Sequence, residues 1–176
     1  MSVDLVPVGD GATRAAADRL IREYLEFIVE IAFQNYQLTF DIEAMIASDL
    51  YDESKFFPPA GRFYVVRHAG EFVGVGCLKR LTPTVAEIQR MYVQPSVRGV
   101  GAGRLLVERL LADARAMQFK TVRLESLRLL SAAHALYRSV GFREIEPYNE
   151  SSMTDYQSPD ALKTYHSSAI FMELAL

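Results

Sequence analysis

Apolar residues along this chain repeat with two different periods. Between about Ala12 and Phe33, Leu20, Tyr24, Phe27, Ile28 and Ile31 recur at helical spacing, which predicts one helix with a single apolar face. Asp10 and Thr13 are both placed to cap its start. Ile42, Met45, Ile46 and Leu50 predict a shorter helix over about Asp41 to Leu50. Further on, Gly103, Leu106, Val107, Leu110, Ala114 and Met117 form another stripe, with Arg104, Glu108, Asp113 and Arg115 mostly off it. A last helix over about Leu130 to Val140 stops at Gly141, which suits a left-handed cap.

Short apolar runs bounded by turn residues predict strands between these helices. Val3–Val8 reads as an edge strand. Arg62–His68 and Glu71–Lys79 flank Ala69-Gly70, a hairpin signal. Val85–Val93, Thr121–Ser126, Phe142–Ile145 and Ala169–Leu174 follow. Tyr51–Gly61 carries Pro58, Pro59 and Gly61 and is expected to be a loop. Pro147–Ser168 is expected to be a polar loop long enough to serve function. The order of elements indicates a mixed α/β fold, and 176 residues suit one domain, 1–176.

Composition narrows the function classes. An apolar fraction of 50% with 23% charged residues excludes disorder and low complexity. No apolar run is long enough to span a membrane, so no membrane partner is expected. Met1–Val8 lacks Lys, Arg and an apolar core, so a secretory signal is not expected. Cys77 is the single cysteine; internal disulfides are impossible, and a cytoplasmic location is expected. One cysteine and three scattered histidines do not make a metal site. A net charge of −3 argues against nucleic acid and is compatible with a cationic amine substrate.

The densest chemistry lies at Arg98-Gly99-Val100-Gly101-Ala102-Gly103, between a strand and an amphipathic helix. A helix N-terminus offers unpaired N–H groups and the positive end of a dipole, and glycines let a phosphate approach the backbone closely. The spacing matches neither the P-loop, which needs Gly-Lys-Ser/Thr, nor the Rossmann pattern. A glycine-rich turn without ligand is the plain alternative.

The turn resembles the [RQ]-x-x-G-x-[GA] signature of the GNAT superfamily of N-acetyltransferases, with Arg98, Gly101 and Gly103 in the signature positions. Two further blocks carry the likeness: Ala86–Pro95 is similar to the family's central strand, and Ala135–Phe142 to its A-x-x-LY-x-x-x-GF segment. The resemblance implies a mostly antiparallel, twisted sheet, flanked by helices and splayed where acetyl-CoA binds, between the Val85–Val93 and Thr121–Ser126 strands. It implies that backbone groups at Met91, Tyr92 and Val93 hold the pantetheine arm, and that Arg98, Gly99, Val100, Gly101, Ala102, Gly103 and Arg104 hold the pyrophosphate. It implies acetyl transfer from acetyl-CoA to a primary amine, on a small molecule or a peptide, by direct attack without a covalent enzyme intermediate or a metal. Many relatives pair through their C-terminal strands, so a homodimer fits the resemblance. An Asn that many relatives place at the start of the last helix is absent; Ser131 is the polar residue there.

The resemblance gives two residues proton-transfer roles. Glu87 occupies the position of a general base; its other reading is a solvated strand residue or a partner of Arg90. Tyr137 occupies the position that protonates the leaving thiolate; its other reading is a core aromatic. His134 is expected on a helix surface, and His166 in the last loop is a weak substrate-site candidate. Glu26, Glu30, Asp41 and Glu43 read either as a solvated helix face or as a field favouring a cation. The alternative to an enzyme is a non-catalytic acyl-CoA sensor or partner-binding module that keeps the glycine turn.

Overall fold

The computed structural model describes residues 2–9, 11–150 and 158–176. Seven strands form one sheet in the order β1-β2-β3-β4-β5-β7-β6. The strands are β1 (Val3–Pro7), β2 (Arg62–His68), β3 (Glu71–Arg80), β4 (Val85–Val93), β5 (Thr121–Leu127), β6 (Arg143–Ile145) and β7 (Ala169–Ala175). The helices are α1 (Gly11–Tyr36), α2 (Ile42–Tyr51), α3 (Glu53–Phe56), α4 (Ala102–Ala116), α5 (Ser131–Ser139) and α6 (Pro159–Ser168). Every neighbouring pair is antiparallel except β4 and β5. The expected mixed α/β architecture is thus the one observed, with Val3–Pro7 at the edge.

Central strands read as unbroken apolar runs because both faces of the sheet are covered. On one face Phe63 and Val65 of β2 join Leu20, Ile21 and Leu25 of α1 and Phe56 of α3. On the other, Tyr64 and Val66 join Leu106, Val107 and Leu110 of α4. Each wholly buried leucine contributes roughly 1.5–3 kcal/mol, so α4 is seated firmly and its N-terminus is fixed against the sheet. The β2–β3 hairpin turns through Ala69 (φ 52°) and Gly70 (φ 86°), two left-handed residues as a tight hairpin requires.

The sequence reading needs correction in four places. The Tyr51–Gly61 stretch contains a short helix, α3, whose start is capped by Asp52 through the Ser54 N–H. The expected loop Pro147–Ser168 ends in a ten-residue helix, α6, capped by Ser158 and opened by Pro159; positions 151–157 of that loop lie outside the described residues, as does the expected cap Asp10. His134 is not on a surface: it is buried, with Nε2 3.1 Å from Ser126 Oγ. Burial and the Arg138 charge lower its pKa, so the ring is held neutral. His166 sits in α6, its ring edge-on to Phe171, rather than in a loop. Among the described residues no helix is long and apolar enough to cross a membrane, and no cluster of three or more acidic, His or Cys side chains suits a metal.

Candidate active site

β4 and β5 run parallel but pair only at Val85–Thr121, Ala86–Val122 and Glu87–Arg123. Beyond that point the two strands separate, and the gap between them is the site. On the other edge of β4 the ladder to β3 continues to Val93, broken by a bulge where Arg90 takes a left-handed φ of 55°. The Gln94 N–H donates to the Val73 carbonyl across that ladder. By the two-residue alternation of a strand, Tyr92 also faces β3, and the N–H and C=O groups of Met91 and Val93 face the gap. The Tyr92 side chain packs against Tyr24 and donates its hydroxyl to Glu23 at 2.5 Å. Burial and that carboxylate push its pKa up to about 12.

Two cavities flank the gap and share Tyr24, Gln89, Arg90, Glu125 and Ser126. The one on the α5 side is closed by Tyr137 and Ala133. The one beneath α1 and α2 is walled by Leu25, Ile28, Phe40 and Met45, with Tyr165 of α6. Together they make a passage along the gap, from the side of α5 to the side of α1 and α2.

Tyr137 lies buried on α5, its ring edge-on to Phe142 at 5.9 Å. Its hydroxyl bonds to none of the described residues. Burial, and secondarily the neighbouring Tyr24, raise its pKa above the ordinary tyrosine value, so it stays protonated. Glu87 is wholly buried; it accepts from Gln89 Nε2 at 2.5 Å and from the Tyr148 hydroxyl at 2.8 Å. The solvated-strand reading of Glu87 therefore does not hold, and neither does the pairing with Arg90, whose partner is Asp49. Glu87 is not among the residues lining either cavity; it stands where β4 and β5 are still paired. Glu125 does line both, and is hydrogen-bonded by Tyr165.

Arg90 is held by Asp49, which is fully buried on α2. The guanidinium donates from Nε to Asp49 Oδ2 at 2.5 Å and from Nη2 to Oδ1 at 3.4 Å, and Lys55 Nζ adds a contact at 2.9 Å. Burial, the largest single influence, would lower the arginine pKa, but the Asp49 charge and its hydrogen bonds together more than offset it. Asp49, Tyr148 and Glu125 were missed in the sequence. Asp49 did leave a signal: it falls on the apolar stripe of α2, one turn after Met45. Three of the four acidic side chains suspected of attracting a cation have structural partners instead: Asp41 caps α2, Glu43 pairs with Arg22, and Glu30 accepts from Gln34.

At the head of α4, Gly99 (φ 90°) and Gly101 (φ 85°) are both left-handed, a conformation that L side chains resist. A β-carbon at either would meet nothing within 4 Å, so conformation rather than crowding demands glycine here. The first α-helical bond of α4 runs from the Leu105 N–H to the Gly101 carbonyl at 3.0 Å. The N–H groups of Ala102, Gly103 and Arg104 thus have no acceptor within the helix and converge on the turn. Arg98 and Val100 stand exposed beside them, and Arg104 reaches Ser139 Oγ at 2.7 Å. The expected turn residues are therefore brought together at the head of α4.

A chain with this gap, bulge and glycine turn is built like an acyltransferase, and comparison bears this out. The acetyltransferase (GNAT) family model matches residues 25–142. The uncharacterized N-acetyltransferase YjgM of Escherichia coli is 35% identical over 116 residues, 63% of this chain and 70% of that protein. The uncharacterized N-acetyltransferase C1271.07c of Schizosaccharomyces pombe is 32% identical over 133 residues, covering 73% and 76%. Among solved structures, the PaiA N-acetyltransferase of Thermoplasma acidophilum, crystallised with coenzyme A, superposes over the full length of both chains with a TM-score of 0.68 at 16% identity. The chain belongs to the GNAT family of N-acetyltransferases and is an acyltransferase.

Proposed function

We propose that this enzyme transfers the acetyl group of acetyl-CoA to a primary amine by direct attack. The observation that carries the reading is the passage along the gap, with Met91 on its β4 wall, Tyr137 on one side and Glu125 lining both cavities. The cradle of Arg98, Gly99, Val100, Gly101, Ala102, Gly103 and Arg104 holds the pyrophosphate, and the backbone at Met91 and Val93 aligns the pantetheine arm, while that of Tyr92 pairs with β3 instead. The amine enters from the α1–α2 side.

An ammonium ion has no lone pair, so one proton must leave before attack. We place that task on Glu125, which faces the passage, rather than on Glu87, which reaches it only through Gln89. In this arrangement Glu87 orients Gln89 and Tyr148. As the nitrogen bonds to the thioester carbon, main-chain N–H groups stabilise the developing negative oxygen. The C–S bond then breaks and Tyr137 protonates the departing sulfur; Glu125 discharges the first amine proton to solvent before it passes the second, and Tyr137 regains one proton from solvent. The products are an amide, CoA thiol and one released proton. Cys77 is fully buried and its pKa is raised, so it takes no part as nucleophile.

Two results check this reading. Purified enzyme releases thiol from acetyl-CoA when an acceptor amine is present; in that assay Glu125→Gln loses roughly 100-fold in kcat/KM and Glu87→Gln less than about tenfold. The reverse order returns the base to Glu87. Calorimetric titration with acetyl-CoA tests the cradle: Gly101→Glu puts a side chain on a left-handed residue and a like charge at the anion site, and weakens binding at least about tenfold, or roughly 1.4 kcal/mol. Unchanged affinity would remove the pyrophosphate from this turn.

A further inference from the structure

The acceptor cavity contains a cation that acetyl transfer does not use. Arg90 lines both cavities. Its Nε and Nη2 are occupied by Asp49, while Nη1 bonds to no described residue and is not among the buried atoms lacking a partner. Nη1 is thus the edge of this cavity-lining guanidinium that Asp49 does not use. Arg90 is also a non-glycine residue at φ 55°, a conformation costing roughly 1–2 kcal/mol. The bulge and the buried Asp49 together fix its guanidinium in one place. A positioned arginine with a free N–H edge is a carboxylate receptor. Glu125, facing the same space, suits an ammonium. The wall under α1 and α2, made by Leu25, Ile28, Val29, Phe40 and Met45, is apolar, while the polar side chains Tyr24, Gln89, Ser126 and Tyr165 lie elsewhere around the cavity.

Resting on the acetyl-transfer reading, we propose that the acceptor is a free α-amino acid with an apolar side chain, bound as its zwitterion. Arg90 holds the carboxylate, Glu125 receives the ammonium and takes its proton, and the side chain lies on the apolar wall under α1 and α2. A polyamine or a protein lysine leaves Arg90 facing a cation or an uncharged chain, and an aspartate side chain meets the apolar wall.

The test varies the acceptor rather than the protein, so folding defects cannot confuse it. Leucine, leucinamide and isoamylamine differ only at the carboxylate. Thiol release from acetyl-CoA is expected to run roughly 10- to 100-fold faster in kcat/KM with leucine than with either analogue, from loss of one charge-assisted contact. Arg90→Lys is expected to erase most of the preference for leucine over isoamylamine, read as the ratio of their kcat/KM values in the same variant. Thermal-shift measurements with each compound read binding independently of chemistry. Equal turnover of leucine and isoamylamine overturns the carboxylate site while leaving acetyl transfer intact, and preference for aspartate or spermidine overturns the apolar zwitterion. Leucine binding without thiol release from any amine supports the acceptor site and overturns the transfer reading; neither binding nor release overturns both.

Discussion

Tyr137→Phe lowers kcat by roughly 100-fold or more while leaving acetyl-CoA affinity within about twofold. The phenylalanine ring keeps the edge-on contact with Phe142, so the fold is undisturbed. What disappears is a hydroxyl that burial holds protonated, placed at the α5 side of the passage where the thiolate leaves. Because its pKa lies above the ordinary tyrosine value, the wild-type rate shows no fall from Tyr137 ionisation up to pH values near 10. Single-turnover kinetics with saturating acetyl-CoA check the result, since they separate the chemical step from product release. An unchanged single-turnover rate would leave Tyr137 as a core aromatic and nothing more.

The second large effect falls on stability. Asp49→Ala removes the carboxylate that two cations share and leaves Arg90 buried without a counter-charge. Breaking a buried pair from one side costs roughly 3–5 kcal/mol. For a chain of this size, that lowers Tm by roughly 6–20 °C. Asp49→Asn keeps the shape and one acceptor oxygen and recovers part of the loss. Calorimetric melting of the three proteins decides it; a melting point within about a degree of wild type for Asp49→Ala would mean that the network adds nothing to the fold.

Most of the fold was legible because it is written locally. β4 emerged with the bounds Val85–Val93 from its apolar run alone, and the glycine turn from residues whose φ values only glycine accepts readily. α6 was lost because its face rests on few residues, Ala161, Leu162 and Tyr165, after a long polar stretch; the Ser158-Pro159 pair was the available sign. The site was half legible. The main-chain positions at Met91 and Val93 and the cradle follow from a strand entering a turn. Glu125 does not, because its place depends on where β4 and β5 part, and nothing in the Thr121–Leu127 pattern marks that point. Arg90 and Asp49 lie 41 positions apart and meet only through the packing of α2 against the bulge.

The bulged edge of β4 has a consequence for how the enzyme diverges. In the arrangement proposed, one substrate is read by peptide groups and the other by side chains. Peptide groups are the same whatever residue occurs at positions 91 and 93, so ordinary mutation there leaves donor recognition untouched. Acceptor recognition sits in replaceable side chains, Arg90 on β4 and others on α1, α2 and β5, and is open to drift. Such a chain changes its clientele one codon at a time while its acyl donor stays constant.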